Sequence, residues 1–161
     1  MTTLRNAVLA LALTSAAATA HAGVKASAVT STNWAQFSPA EVFVPLNDAG
    51  ATTLTFKLSS AGKKILTYSA ACAVGGQAGI TTGYVHLDIY VNGVVIAPTG
   101  GNSDTFCTAD GTTSTVDGAV RASITVPIQG ISGNNTIQIK ATGNYGATGF
   151  LLGHSALVIY D

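Results

Sequence analysis

Polar side chains that could do chemistry alternate along one short stretch of the sequence, YVHLDIY. His86 and Asp88 lie two positions apart, so on a strand they would point to the same side, about 7 Å from each other. With a third ligand such a pair could hold a metal ion, but outside the first 22 residues the only further histidine is His154. We favour the alternative, a polar strand face on which Tyr84 and Tyr90 contact cross-strand partners.

A second motif superficially resembles a hydrolase signature. Gly153, His154 and Ser155 match the start of the Gly-x-Ser-x-Gly nucleophile elbow, but Leu157 stands where the second glycine belongs. An elbow leads from a strand into a helix, whereas the sequence here continues with strand-forming residues. We therefore predict a terminal strand, in which Gly153 permits a bulge or a close backbone approach.

Three acidic residues could bind calcium in a segment rich in Gly, Asn, Ser and Thr. Asp104, Asp110 and Asp117 offer the oxygen ligands that Ca²⁺ accepts in loops. Their spacing matches no calcium-binding motif, and the Asp-Gly pairs at 110 and 117 are equally typical of turns. A structural calcium ion stays an open alternative, and we expect no other cofactor.

Aromatic residues outside the clear apolar alternation could stack against sugars. Two of these candidates lie between the predicted strands: Trp34 in a predicted loop and Tyr145 in the Gly-rich turn GNYGATG. Tyr84 and Tyr90, on the polar strand face, are further aromatic residues on which a sugar could stack. For Trp34 we favour a plug at the edge of the core, because a lone tryptophan usually buries most of its large area.

The first 22 residues are predicted to be a secretory signal peptide. Arg5 precedes an apolar run, and the small residues that follow allow cleavage after Ala20 or Ala22. The run is too short for a permanent membrane span, and no other apolar run of about 18 residues follows. We expect one domain, residues 23–161, that is secreted or periplasmic and is not inserted in a membrane.

Charge and cysteine content restrict the function further. The whole chain has seven Lys and Arg against seven Asp and Glu, and only 9% of its residues are charged, so nucleic-acid binding is not expected. Cys72 and Cys107 are the only cysteines. Because export leads to an oxidising compartment, we predict that they form a disulfide.

Hydrophobic periodicity predicts an all-β protein. Period-two alternation dominates from residue 52 onward, and Asn92-Gly93 between two apolar runs predicts a type I′ hairpin. Residues 98–118 are predicted to be a long loop fixed by the disulfide. About eight short antiparallel strands in one domain indicate a β-sandwich or a barrel.

The order of these segments resembles a known superfamily. The runs SAGKKILTYSAACAV, YVHLDIYVNGVVIAP, VRASITVPIQGISGNNTIQIKAT and GFLLGHSALVIYD are similar to the globular heads of complement-type and tumour-necrosis-factor-like proteins. The resemblance covers roughly residues 52–161 and implies a jelly roll, a homotrimer and binding through exposed loops. No collagen-like stalk precedes the head in this sequence.

Three functions follow, in order of preference. The first is an exported, non-catalytic binding or structural module that self-associates and recognises a protein partner or a surface through its loops. The second is a lectin-like domain that binds a glycan. The third is a metal-dependent enzyme, which the single glutamate and the few histidines disfavour, since general acid-base catalysis needs paired groups.

Overall fold

The protein is an all-β sandwich, as its alternation predicts. The computed structural model describes residues 23–76, 79, 82–97, 105–110 and 119–161, and the predicted signal peptide lies outside this part. The described residues form two antiparallel sheets and contain no helix that could span a membrane. The strands are β1 (Val24–Val29), β2 (Asn33–Gln36), β3 (Val42–Phe43), β4 (Leu54–Leu58), β5 (Gly62–Gly75), β6 (Tyr84–Val91), β7 (Val94–Ala97), β8 (Thr105–Thr108), β9 (Val120–Gly130), β10 (Gly133–Asn144) and β11 (Gly149–Tyr160).

The strand order is that of a jelly roll. One sheet has the order β1-β11-β5-β9, with β2 also on β11, and the other has the order β3-β10-β6-β7, with β4 on β10 and β8 on β6. If the short strands β2, β3 and β8 are left out, eight strands remain, which can be numbered from first to eighth along the chain. In this numbering the first, eighth, third and sixth strands form one sheet. The second, seventh, fourth and fifth form the other, which is the arrangement of two interlocked Greek keys.

The core lies between the two sheets, where each strand contributes every second side chain. On β6, Val85, Leu87 and Ile89 are completely buried, while the residues between them are half-buried on the outer side. Ile137 and Ile139 do the same on β10. A strand with one apolar face is stable only when that face is covered, so this alternation sets which side of each sheet faces inward.

The predicted hairpin is confirmed. Asn92 and Gly93 have φ values of 52° and 80°, and Val91 pairs with Val94 across the turn. Positive φ at both central residues defines the type I′ turn, which Asn and Gly adopt at low cost.

The structure corrects the prediction that residues 98–118 form one loop. Residues 105–108 of this segment are strand β8, which pairs with β6 through Tyr84 and Val85. Its formation follows from its apolar residues: the Phe106 ring packs 5.7 Å from that of Tyr68, and Cys107 is buried. The predicted disulfide between Cys72 and Cys107 is confirmed, and it ties β8 to β5.

The loop prediction for Trp34 is also wrong. Trp34 belongs to β2, where it pairs with Leu152 of β11. Such a short edge strand carries too few alternating residues to be recognised from the sequence, and its pairing depends on the distant β11. The strand count therefore rises from about eight to eleven among the described residues.

Candidate functional site

The predicted polar face of β6 exists and continues onto β10. We call the outer side of these two strands the polar face. It comprises eight directly opposed residues, all half-buried: Tyr84 with Asn144, His86 with Thr142, Asp88 with Lys140, and Tyr90 with Gln138. The tyrosines are therefore opposite amide side chains rather than each other. This surface combines aromatic rings with hydrogen-bonding groups that are all partly exposed.

His86 and Asp88 are in contact with each other. The Nε2 atom of His86 lies 3.0 Å from Oδ1 of Asp88, and both side chains are mostly covered. Lys140 stands opposite Asp88 in the neighbouring strand. Among the described residues no group of three or more His, Cys, Asp or Glu side chains could hold a metal ion. The direct contact between the two side chains agrees with the strand-face interpretation.

The Tyr90 ring contacts a cation, the ammonium group of Lys140. The Lys140 ammonium lies 5.0 Å from the ring centroids of both Tyr90 and Phe43, and it forms a salt bridge with Glu41. The hydrogen bond with Glu41, followed by that with Tyr90, raises the pKa of Lys140 above its usual value. The Tyr90 ring is thereby held at one end of the polar face by cation–π contact and by an edge contact with Phe43.

Tyr84 and Tyr145 form a ring pair at the other end. Their centroids are 5.4 Å apart with an interplanar angle of 30°, and Tyr145 is 68% exposed. Tyr145 and Gly146 have φ values of 50° and 90°, and the Ala147 amide donates to the Asn144 carbonyl, so residues 144–147 form a type I′ turn. A bulky residue is disfavoured at such a position, and strained positions of this kind cluster at ligand sites.

A surface groove accompanies this ring pair. It has a volume of about 280 Å³, and its described lining consists of Thr82, Tyr84, Thr105 and Tyr145. The Thr82 hydroxyl donates to the Tyr145 carbonyl at 3.4 Å, which fixes the turn beside the groove. The groove therefore has aromatic walls and hydroxyl groups, and its described lining contains no charged residue.

The other candidate residues lie elsewhere. Trp34 is on the opposite sheet, half-buried, with its ring edge-to-face against Phe150 at 5.9 Å, which agrees with the core-edge interpretation. Asp110 is exposed just beyond β8, next to the Ala109 amide that donates to Gly83. Asp104 lies outside the described residues, so the calcium hypothesis remains a prediction.

Sequence reasoning missed the second half of the polar face. Gln138, Thr142 and Asn144 were recognisable as outward residues of a strand, but their positions opposite β6 depend on the pairing register. Thr82 and Thr105 gave no signal at all. For Tyr145, the signal was a tyrosine immediately before glycine in a predicted turn, which is the position that needs positive φ.

The nucleophile-elbow alternative is excluded by the position of Ser155. The serine lies within β11, is 4% exposed, and its hydroxyl is 3.0 Å from that of Thr30. The predicted irregularity at Gly153 is confirmed: the pairing of β11 with β5 shifts register between Gly153 and Ala156, and His154 has a φ of 45°.

Comparisons with known proteins give structural likenesses only. No protein-family model and no curated protein matches the sequence. A family 35 carbohydrate-binding module from Clostridium thermocellum is 16% identical with a TM-score of 0.34, and the match covers 83% of this chain and 97% of that one. A family 35 module from an environmental isolate is 16% identical with a TM-score of 0.37, covering 87% and 88%. A module of the same family from Paenibacillus barcinonensis is 20% identical with a TM-score of 0.34, covering 84% and 90%. These values are too low to carry an argument, so the function is argued below from the residues of this chain.

Proposed function

We propose that this protein is a non-catalytic carbohydrate-binding module and that the sugar binds at the Tyr84–Tyr145 ring pair. The observation that carries the proposal is the exposed Tyr145 ring, held against Tyr84 beside a groove with hydroxyl groups. The likenesses reported above are to carbohydrate-binding modules, but the proposal depends on these residues and not on those likenesses.

Sugar chemistry fits this site. A pyranose ring has an apolar face of C–H groups and a rim of hydroxyls, so it binds where an aromatic ring and polar groups are adjacent. Tyrosine supplies a flat apolar surface together with a polar hydroxyl at low cost in side-chain entropy. The described lining of the groove offers two threonine hydroxyls and two tyrosine rings, which suit the hydroxyl groups and the apolar face of a sugar.

The polar face extends the site along β6 and β10. Asn144 and Thr142 follow the ring pair toward Gln138, and amide and hydroxyl groups both donate and accept hydrogen bonds. Residues two apart along a strand are about 7 Å apart. An oligosaccharide lying along the strands would therefore meet a polar side chain at each step, which favours chains over single sugars.

Isothermal titration calorimetry with a panel of neutral oligosaccharides tests the proposal. Oligosaccharide binding should weaken about fivefold or more in Tyr145→Asn relative to the wild type, because a stacked ring contributes roughly 1 kcal/mol beyond its buried area. Asparagine is favoured at this turn position, as at Asn92, so the variant keeps its fold.

The matched control is Phe37→Asn, which removes an aromatic ring that is 82% exposed and is not among the described residues that line the groove. It should bind as the wild type does. Failure of the wild type to bind any oligosaccharide of the panel, or equal affinity of Tyr145→Asn and wild type, would contradict the proposal.

Export and self-association complete the proposal. We infer that residues 1–22 direct export and are removed, and that the protein acts in the periplasm or outside the cell. The jelly-roll strand order agrees with the fold that the resemblance to complement-type heads implied, but the complement-type superfamily itself is not supported, and the homotrimer stays a prediction. Light scattering on the oxidised protein without residues 1–22 checks it, and a monomer throughout the micromolar range would contradict it.

A further inference from the structure

A second cavity opens on the other side of the molecule. It lies between β2, the turn at residues 47–50 and the middle of β5 and of β11, and has a volume of about 150 Å³. We call it the Tyr68 cavity. Its mouth is formed by exposed residues, including Asn33 and Asp48, and Trp34 lies at one wall. No residue of the Tyr84–Tyr145 groove contributes to it.

The floor of this cavity is polar, although it lies in the core. Thr30, Tyr68 and Ser155 are all buried there, and each carries a hydroxyl. Thr30 and Ser155 satisfy each other: their hydroxyls are 3.0 Å apart, and the Ser155 amide donates to Oγ1 of Thr30. The Tyr68 hydroxyl, in contrast, makes no hydrogen bond of regular geometry among the described residues, although the Ser155 side chain is close enough to lower its pKa slightly.

The unpaired, buried Tyr68 hydroxyl costs free energy that phenylalanine at the same position would avoid.

The neighbouring strand β11 also departs from regular geometry beside Tyr68. The bulge at 153–156 and the positive φ of His154 turn the Ser155 side chain inward, and Gly153 is required because a side chain there would overlap Asn33. Backbone strain beside one unpaired buried hydroxyl favours a ligand site over a site optimised for stability.

The shape and charge of the cavity limit the ligand. A cavity of about 150 Å³ accommodates one six-membered ring. Trp34, held edge-to-face by Phe150, offers a ring surface at the wall. Asp48 keeps a negative charge at the mouth: hydrogen bonds from Ser31, and then from Thr32, lower the pKa of its carboxyl. This charge disfavours anions.

We propose that the Tyr68 cavity binds one neutral, hydroxylated six-membered ring, such as a terminal pyranose or a cyclitol. The ring would accept or donate a hydrogen bond at the Tyr68 hydroxyl and contact Trp34 with its apolar face. This site is on the opposite sheet from the ring pair, and the inference does not depend on the function proposed for that pair.

Trp34 is the only tryptophan of the chain, so its fluorescence reports on this cavity alone. The probes are methyl α-D-glucopyranoside, methyl α-D-galactopyranoside, D-xylose and myo-inositol, with glycerol as a hydroxylated compound without a ring. At least one ring compound should change the emission saturably, and glycerol at the same concentration should not. If no ring compound changes the emission of the folded protein, the inference is overturned.

Two variants separate this site from the ring pair. Tyr68→Phe removes only the hydroxyl and should weaken ring binding about five- to tenfold while the melting temperature stays equal or rises. Tyr145→Asn should leave the Trp34 titration unchanged. Unchanged affinity in Tyr68→Phe, or a lowered melting temperature that indicates a buried structural water, would overturn the inference. If Tyr145→Asn abolishes oligosaccharide binding while Trp34 stays silent, the ring-pair proposal stands and this one fails.

Discussion

The side chain of Asn92 donates a hydrogen bond to the side-chain oxygen of Asn135 at 3.1 Å and so joins two turns that are 43 residues apart. In return, Oδ1 of Asn92 accepts a hydrogen bond from the Thr136 amide at 2.8 Å. The β6–β7 hairpin is thus attached directly to the start of β10. Because β10 and β6 carry the polar face, this junction holds the two strands of the candidate site in register.

Asn135 should be among the most sensitive positions of the chain. It is completely buried and also bonds the Ile131 amide, the Ile131 carbonyl and the Gly133 carbonyl. Asn135→Ala leaves these groups without partners, so the free energy of unfolding should fall by roughly 2–4 kcal/mol. Urea denaturation measures the change. The exposed neighbour provides the control: Asn134→Ala should stay within about 0.5 kcal/mol of wild type.

The disulfide should contribute strongly to stability. Cys72 and Cys107 are 35 residues apart in sequence, and closing a loop of this size restricts the unfolded chain by about 3–4 kcal/mol in the chain-entropy model. The Cys72→Ala/Cys107→Ala double variant should lose that amount in denaturant unfolding. Reducing agent should destabilise the wild type and leave the double variant unaffected; an equal response of both proteins would contradict the prediction.

Gly153 should tolerate no side chain. A Cβ atom there would overlap the Asn33 side-chain oxygen and lie 3.1 Å from the Asn33 Cα. Gly153→Ala should therefore lower stability by roughly 1–3 kcal/mol, since the backbone of β2 must move. A thermal melt tests this. Gly62→Ala is the matched control, because the nearest atom to its Cβ is the flexible Lys64 ammonium at 3.9 Å. Asn33→Gly should partly rescue the Gly153→Ala variant.

Because of Tyr68, the free energy of unfolding should fall at alkaline pH. Burial raises the pKa of Tyr68 from 10.0 to about 12, with a smaller opposing effect from Ser155. A raised pKa in the folded state means that the stabilisation is fully present below pH 10 and is lost as the pH rises through about 12. The loss should approach about 3 kcal/mol above that pH.

The measurement is urea unfolding between pH 9 and pH 12.5 with Tyr68→Phe as the comparison. The variant should lose less stability over this range than the wild type, whereas Tyr160→Phe, which alters a half-buried tyrosine on the outer side of β11, should follow the wild type. Parallel curves for wild type and Tyr68→Phe would show that the buried hydroxyl does not control the alkaline transition.

Patterns within a few adjacent residues were sufficient to predict most of the fold. The alternation of Val85, Leu87 and Ile89 with polar residues gave β6 and its buried side, and Asn92-Gly93 gave the hairpin. Both signals are contained in a few adjacent residues. Strand β8 and the position of Trp34 in β2 were missed, because short strands are stabilised by what they pack against and not by their own pattern.

The sequence by itself determined an all-β chain, the outward side of each long strand and the two cysteines that could pair, since a period of two and a residue type are local properties. Only the tertiary structure decided which outward sides meet. Tyr145 lies against Tyr84 because β10 pairs with β6 in a register that places Asn144 opposite Tyr84. Tyr68 and Ser155 share one cavity because a bulge turns the serine inward. Residues separated by about 60 or more positions come together only through the strand order of the whole sandwich, which no local pattern specifies.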